Sequence, residues 1–204
     1  MVLRGFKPRQ KGTSMAMPLD RLLQIVVPPS IAARHHRDWA AAEERLGRPL
    51  PQDYKDLIDV YGGGSFDGHV GLLAPPPTRV GSDLAEYNDG YMDDLTNLWA
   101  ITENRPASLA GEGLLVVWAD TIDADSLNWL VKPGQSPQDW AVAVLDADLG
   151  ECELYPMTCA EFLAGLFSEE ITSRILSHHL SSEGHTFRSY PLNQGQSFSP
   201  SSQR

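Results

Sequence analysis

An α+β domain, with helices packed against an antiparallel sheet of four or more strands, is the fold class this 204-residue chain predicts. Three observations carry that prediction. Leu46 to Phe66 spells the start, body and stop of one short helix followed by a glycine corner. Leu114 to Ala119 and Trp140 to Leu145 are continuous apolar runs bounded by turn residues, as buried strands require. Thr158-Cys159-Ala160-Glu161 has the capping-box pattern and precedes Phe162, Leu163, Leu166 and Phe167, the apolar face of a closing helix. Helices first, then a strand meander, then a last helix is the order of an α+β domain.

Residues 1–18 read as a flexible basic segment, because Arg4, Lys7, Arg9 and Lys11 stand there without an acid. Met15 and Met17 offer alternative translation starts within it. A single domain is expected over 19–181. Leu19 to Val27 predicts a short helix ended by Pro28-Pro29, and Ser30 is placed to cap a second helix running to Leu46, with Trp39, Ala42, Glu43 and Leu46 along it and Gly47 as its stop. Pro51 fits the first turn of a third helix, where its missing N–H costs nothing, and Tyr54, Leu57, Ile58 and Tyr61 fall at i, i+3, i+4 and i+7. Gly62, Gly63 and Gly64 end it, since glycine enters positive-φ conformations cheaply. This loop leaves a helix and lacks a following Lys-Ser or Lys-Thr, so it is a corner and not a phosphate cradle, and Ser65 is not in a nucleophile elbow.

Val70, Leu72 and Leu73 predict a short first strand closed by Pro75-Pro76-Pro77. After a polar passage, Leu95, Leu98 and Trp99 give Tyr91 to Glu103 a helical period. Leu114 to Ala119 pairs with Leu127, Trp129 and Val131 as a hairpin, and Trp140 to Leu145 with Glu151 to Tyr155 across a turn at Asp146 to Gly150. From Gly184 onward Ser, Gln, Pro, Asn and Gly dominate, which predicts a disordered tail over 182–204.

The order of these features resembles the SUKH superfamily, which includes bacterial immunity proteins against polymorphic toxins and fungal regulators of cell-wall synthesis. The resemblance rests on Trp39 and Glu43, Leu46-Gly47, Leu50-Pro51, Asp53-Tyr54, Tyr61-Gly62-Gly63-Gly64-Ser65-Phe66, Leu114 to Trp118 and Trp140 to Leu145, and runs from about Asp38 to about Leu166. It implies a non-enzymatic protein-binding domain, often one that neutralises a cognate toxin by covering an essential surface. The alternative it implies is a regulatory or scaffolding module with several partners. Trp39, Gly47, Pro51, Tyr54, Tyr61, Gly62, Gly64 and Trp118 are expected to make the fold, leaving partner specificity to other residues.

The net charge of −11 is concentrated: residues 83 to 153 carry fifteen Asp and Glu against Arg105 and Lys132, whereas residues 1 to 82 sum to +3 and 154 to 204 to −1. Such a field repels phosphate backbones and steers basic partners, so a basic toxin such as a nuclease is the expected partner and nucleic acid is not. No apolar run is long enough to cross a bilayer and no signal-peptide core is visible, so a cytoplasmic protein without a membrane partner is expected. Asp120, Asp123, Asp125, Asp146 and Asp148 crowd two predicted turns. Their spacing is wrong for an EF-hand, and Asp is favoured in turns by its backbone bonding. Both turns could also lie at one end of the sheet and present carboxylates to a cationic partner, and these five are the expected partner contacts. His35-His36, His69, His178-His179 and His185 match no ligand pattern and are expected at the surface, and Cys152 and Cys159 form no CxxC pair. No metal, cofactor or catalytic residue is expected; the chain's own oligomeric state stays open.

Overall fold

The computed structural model describes residues 18–30, 36–176, 180 and 184–191. Helix α1 spans Pro18–Ile25, α2 Trp39–Leu46 and α3 Gln52–Tyr61; strands β1 (Gly64–Phe66) and β2 (Val70–Leu72) follow, then α4 (Leu84–Asn88) and α5 (Tyr91–Thr102). Strands β3 (Leu114–Thr121), β4 (Ser126–Val131), β5 (Ala141–Leu145) and β6 (Cys152–Tyr155) form the meander, α6 (Cys159–Phe167) closes it, and β7 is Phe187–Ser189. The strands make one antiparallel sheet in the order β6-β5-β4-β3-β2-β1-β7. The expected α+β class is therefore what the chain adopts, with seven strands.

Both faces of the sheet are covered. On one, Leu22 of α1 and Val26 just after it, Tyr54 to Tyr61 of α3 and Phe162 to Phe167 of α6 pack on Val116, Trp118, Leu127, Trp129, Val142 and Val144. On the other, Leu95 and Trp99 of α5 pack with Leu109 on Leu115, Leu130, Ala143 and Leu145. Alternate residues of β4 and β5 thus feed two cores, which is why their runs read as continuously apolar.

The motif residues occupy fold-making positions. Tyr54 and Tyr61 are fully buried, and each phenol donates to a backbone carbonyl at 2.6 Å, Tyr54 to Leu73 and Tyr61 to Val26. Tyr54 also meets Trp129 edge-on at 4.9 Å, and Trp118 stacks on Trp129 at 6.1 Å. Trp39 lies edge-on to Tyr54 with the Lys55 ammonium over its ring. Glu43 accepts the Leu50 N–H at 2.8 Å and so fixes the loop from α2 to α3. Asp53 accepts from the Cys159 thiol at 2.9 Å and the Ala160 N–H at 3.3 Å, tying α3 to the start of α6. The capping box is present, with Thr158 and Glu161 bonded reciprocally. Gly47 (φ 67°) and Gly62 (φ 76°) end their helices in conformations a side chain would strain.

Four expectations are corrected. The second helix begins at Trp39, not Ser30; residues 31–35 lie outside the described part, and His36 to Asp38 are not helical. Asp38 is the N-cap, accepting the Ala41 N–H at 3.0 Å, while buried Arg37 donates to the carbonyls of Pro75 and Pro77. Pro51 is the N-cap residue of α3, one position before the helix proper. The first strand is β1, hidden in the glycine corner. The tail expected to be disordered contributes β7, paired with β1; Phe187 packs on Phe66 at 4.8 Å and on Tyr61 at 5.0 Å. Composition understated two well-spaced aromatics, Phe187 and Tyr190. The basic segment before Pro18 and residues 192–204 lie outside the described part.

Helix α4, absent from the sequence reading, serves the sheet. The ladder of β3 shifts between Val117 and Ala119, and β2 reaches only Ala119 to Thr121. Asn88 fills the gap like a strand: its amide accepts the Val117 N–H and donates to the Val117 carbonyl, both at 2.8 Å. Asn88→Ala leaves both groups unpaired and is expected to destabilise the fold by about 1–3 kcal/mol, measurable by urea denaturation.

Candidate functional site

Antiparallel order gathers three turns at one end of the sheet: 67–69 between β1 and β2, 122–125 between β3 and β4, and 146–151 between β5 and β6. This end carries four of the five expected contact residues, Asp123, Asp125, Asp146 and Asp148. The two turns expected to share an end do so, and the Ala147 N–H donates to Asp125 Oδ1 at 3.1 Å across them.

The carboxylates divide by environment. Asp125 is 7% exposed; the Thr121 hydroxyl donates to its Oδ2 at 3.1 Å and accepts the Asp125 N–H at 3.0 Å. A buried acceptor of that kind shapes the turn and offers a partner little surface. Asp146 is half-buried and receives the Glu151 N–H at 2.8 Å, closing its own turn. Asp148 is exposed, its carbonyl held by the Asn104 amide at 3.1 Å, and the next carbonyl, Leu149, accepts the Trp99 indole at 2.9 Å. Asp123 is exposed beside His69, with 3.6 Å between carboxylate and Nδ1. Ile122, the residue before Asp123, projects at 77% exposure, an apolar residue in an acidic turn.

Asp120 does not join this group. It precedes the turn on the α5 face of the sheet, opposite Ser126. Its Oδ1 lies 2.8 Å, and the Tyr190 hydroxyl 2.5 Å, from where a Cβ on Gly71 would stand. The Arg79 guanidinium sits over the Tyr190 ring at 4.7 Å. Burial pushes the Asp120 carboxyl up to about 6, partly opposed by Arg79, and burial with the Asp120 charge raises Tyr87 to about 12.

Two histidines expected at the surface are built in instead. His69 is 7% exposed. His185 bridges Asp67 Oδ2 at 2.6 Å and the Phe167 carbonyl at 3.0 Å, and Asp67 Oδ1 takes the Thr186 N–H at 2.8 Å, so these contacts moor β7. Sequence reasoning missed Asp67, Ile122 and this anchor; the single available signal was an isoleucine among turn acids. His35, His178 and His179 lie outside the described residues. Cys152 is half-buried and Cys159 buried, and burial raises both thiols. Among the described residues no group of three or more His, Cys, Asp and Glu is placed to hold a metal ion, and no helix is long and apolar enough to cross a membrane.

A seven-stranded antiparallel sheet flanked by helices, with the Trp39-to-Phe66 motif residues in its packing, is a SUKH-like α+β fold. The chain belongs to the SMI1 / KNR4 family (SUKH-1), whose sequence profile matches residues 35–162, more than half of its length. No curated protein and no solved structure matches it.

Two outcomes follow from the carboxylates. Native Asp120 holds its proton to about pH 6, whereas an unfolded Asp loses it near 4, at about 3.9. Between these values the folded state binds more protons, so stability falls as pH rises through that window and then levels off. Asp120→Asn is expected to remove this slope and to stabilise the protein at pH 7 by up to about 2 kcal/mol, read from urea denaturation at pH 4 and pH 7. Asp125→Ala is expected to cost about 1–3 kcal/mol, against less than about 0.5 for Asp148→Ala, in thermal denaturation.

Proposed function

We propose that this protein is a non-enzymatic binding protein that neutralises an intracellular toxin, and that a basic partner docks on the acidic end of the sheet. The observation that carries the reading is the exposure of Asp123, Asp148 and Ile122 at one end of the sheet, on turns held by Asp125, Asp146 and the indole of Trp99. Family membership supports an immunity or regulatory role in general. Of the five expected contacts, Asp123 and Asp148 make direct ion pairs, Asp125 and Asp146 hold the turn shape, and Asp120 contributes to the field from the adjacent face. Steering by the whole acidic middle of the chain raises the encounter rate, and Ile122 supplies an apolar anchor that a solvated charge cannot. Rigid turns favour affinity, because no loop has to be ordered on binding.

The test is co-purification with the tagged full chain from its native cells at low and at high salt, with the D123K/D148K variant alongside. The expected result is one basic partner, encoded beside this gene, released by salt and lost with the variant. Several partners that ignore both salt and the variant would replace this reading with the regulatory one.

A further inference from the structure

The connection from β4 to β5, residues 132–140, lies at the end of the sheet away from the acidic turns and faces the loop from α2 to α3 across a cleft of ≈ 480 Å³. Both walls are held in place by the protein itself. In the connection, the Lys132 N–H donates to Gln135 Oε1 and the Gln135 N–H to the Lys132 carbonyl, each at 3.2 Å. In the loop, the Arg48 N–H donates to the Glu43 carbonyl at 3.1 Å, and the Glu43 side chain takes the Leu50 N–H. The Gln52 N–H then joins the two walls by donating to Gln138 Oε1 at 3.2 Å. A preformed cleft of this volume falls in the size range of small-ligand sites.

Its lining is apolar with two cations. Leu114 and Val131, paired across β3 and β4, are half-buried there, and Trp140 is 5% exposed. The Trp140 Nε1 is buried without a hydrogen-bond partner among the described residues, so no protein acceptor is committed to it. Arg48 and Lys132 also line the cleft. Arg48 uses its Nε on the Leu46 carbonyl at 3.3 Å, and neither cation forms an ion pair among the described residues. The acids nearest in the chain, Glu112 and Asp139, are exposed and do not line it. Apolar surface beside two uncompensated cations, in a chain of net charge −11, is complementary to an apolar molecule with one negative charge.

We propose that this cleft is a binding site for a small apolar carboxylic acid, a free ligand of metabolite size. Its hydrocarbon or aromatic body displaces water from Leu114, Val131 and Trp140, and its carboxylate meets Arg48 and Lys132. Burial of the body supplies affinity, and the two cations select an acid over an alcohol of the same shape. The site lies at the far end of the sheet from Asp123 and Asp148 and does not depend on the toxin-binding reading.

The experiment is a titration of the isotope-labelled full chain with phenylpropionate, followed by NMR of its amide and indole N–H signals, with phenylpropanol and acetate as separate probes. The expected result is saturable movement of the Gly113 and Gly134 amides and the Trp140 indole in the millimolar range, weakened about fivefold by Arg48→Gln or Lys132→Gln, each folded by its otherwise unchanged spectrum. Phenylpropanol binds more weakly by a similar factor, and acetate, which lacks the apolar body, does not saturate these signals. The proposal is overturned if phenylpropionate leaves them unmoved, if the alcohol binds as tightly as the acid, if acetate reproduces the shifts, or if both variants bind like the parent protein.

Discussion

Two phenols seven residues apart on α3 are buried beyond the reach of water, and a buried hydroxyl without a partner costs several times what a hydrogen bond contributes. Tyr54 and Tyr61 therefore hold α3 where their protons meet the carbonyls of Leu73 and Val26. That placement sets the rest. The first bond seats α3 over the end of β2, the second brings α1 onto α3, and the ring of Tyr54 defines where Trp129 and hence the centre of the sheet must lie. Asp53, in the first turn of the same helix, then fixes the start of α6. One ten-residue helix thus sets the positions of two other helices and two strands.

The glycine corner after α3 has a second use that the helix stop does not require. A Cβ on Gly64 would stand 2.4 Å from the Arg188 carbonyl and 2.5 Å from the Phe187 ring, so β7 approaches β1 only because no side chain is there. The corner is where the polypeptide end returns. With Phe187 on Tyr61 and Phe66, and His185 on Asp67, β7 covers an edge that would otherwise be open to pairing with other chains.

The sheet's two ends differ in electrostatics and in what they offer. One has acidic turns and a projecting isoleucine; the other has a cleft lined by Arg48, Lys132 and Trp140. A meander makes this division natural, since alternate turns lie at alternate ends. The turn acids Asp123, Asp125, Asp146 and Asp148 go one way, and the opposite end carries Lys132 together with Glu112 and Asp139.

Much of this was legible in the chain itself. The stripe of Tyr54, Leu57, Ile58 and Tyr61, the capping box at Thr158 and the apolar runs of β3 and β5 are local patterns whose period names the element, and they delivered the α+β class, the central hairpin and the last helix. Grouping of the two acidic turns at one end was one possibility the sequence left open, and the strand order makes it so. What local pattern does not contain is partnership across the chain. Nothing in the period of 84–88 announces α4, because its reason is a gap in the β3 ladder that Asn88 fills. The three-residue strands β1 and β7 are too short to show alternation and exist because they pair with each other. Whether an aspartate is exposed or a strut was decided only in three dimensions, where Asp125 turned inward to the Ala147 N–H while Asp123 and Asp148 stayed exposed. Sequence determines the elements that stabilise themselves through their own spacing; tertiary structure decides those whose backbone or charge is satisfied by a residue far along the chain.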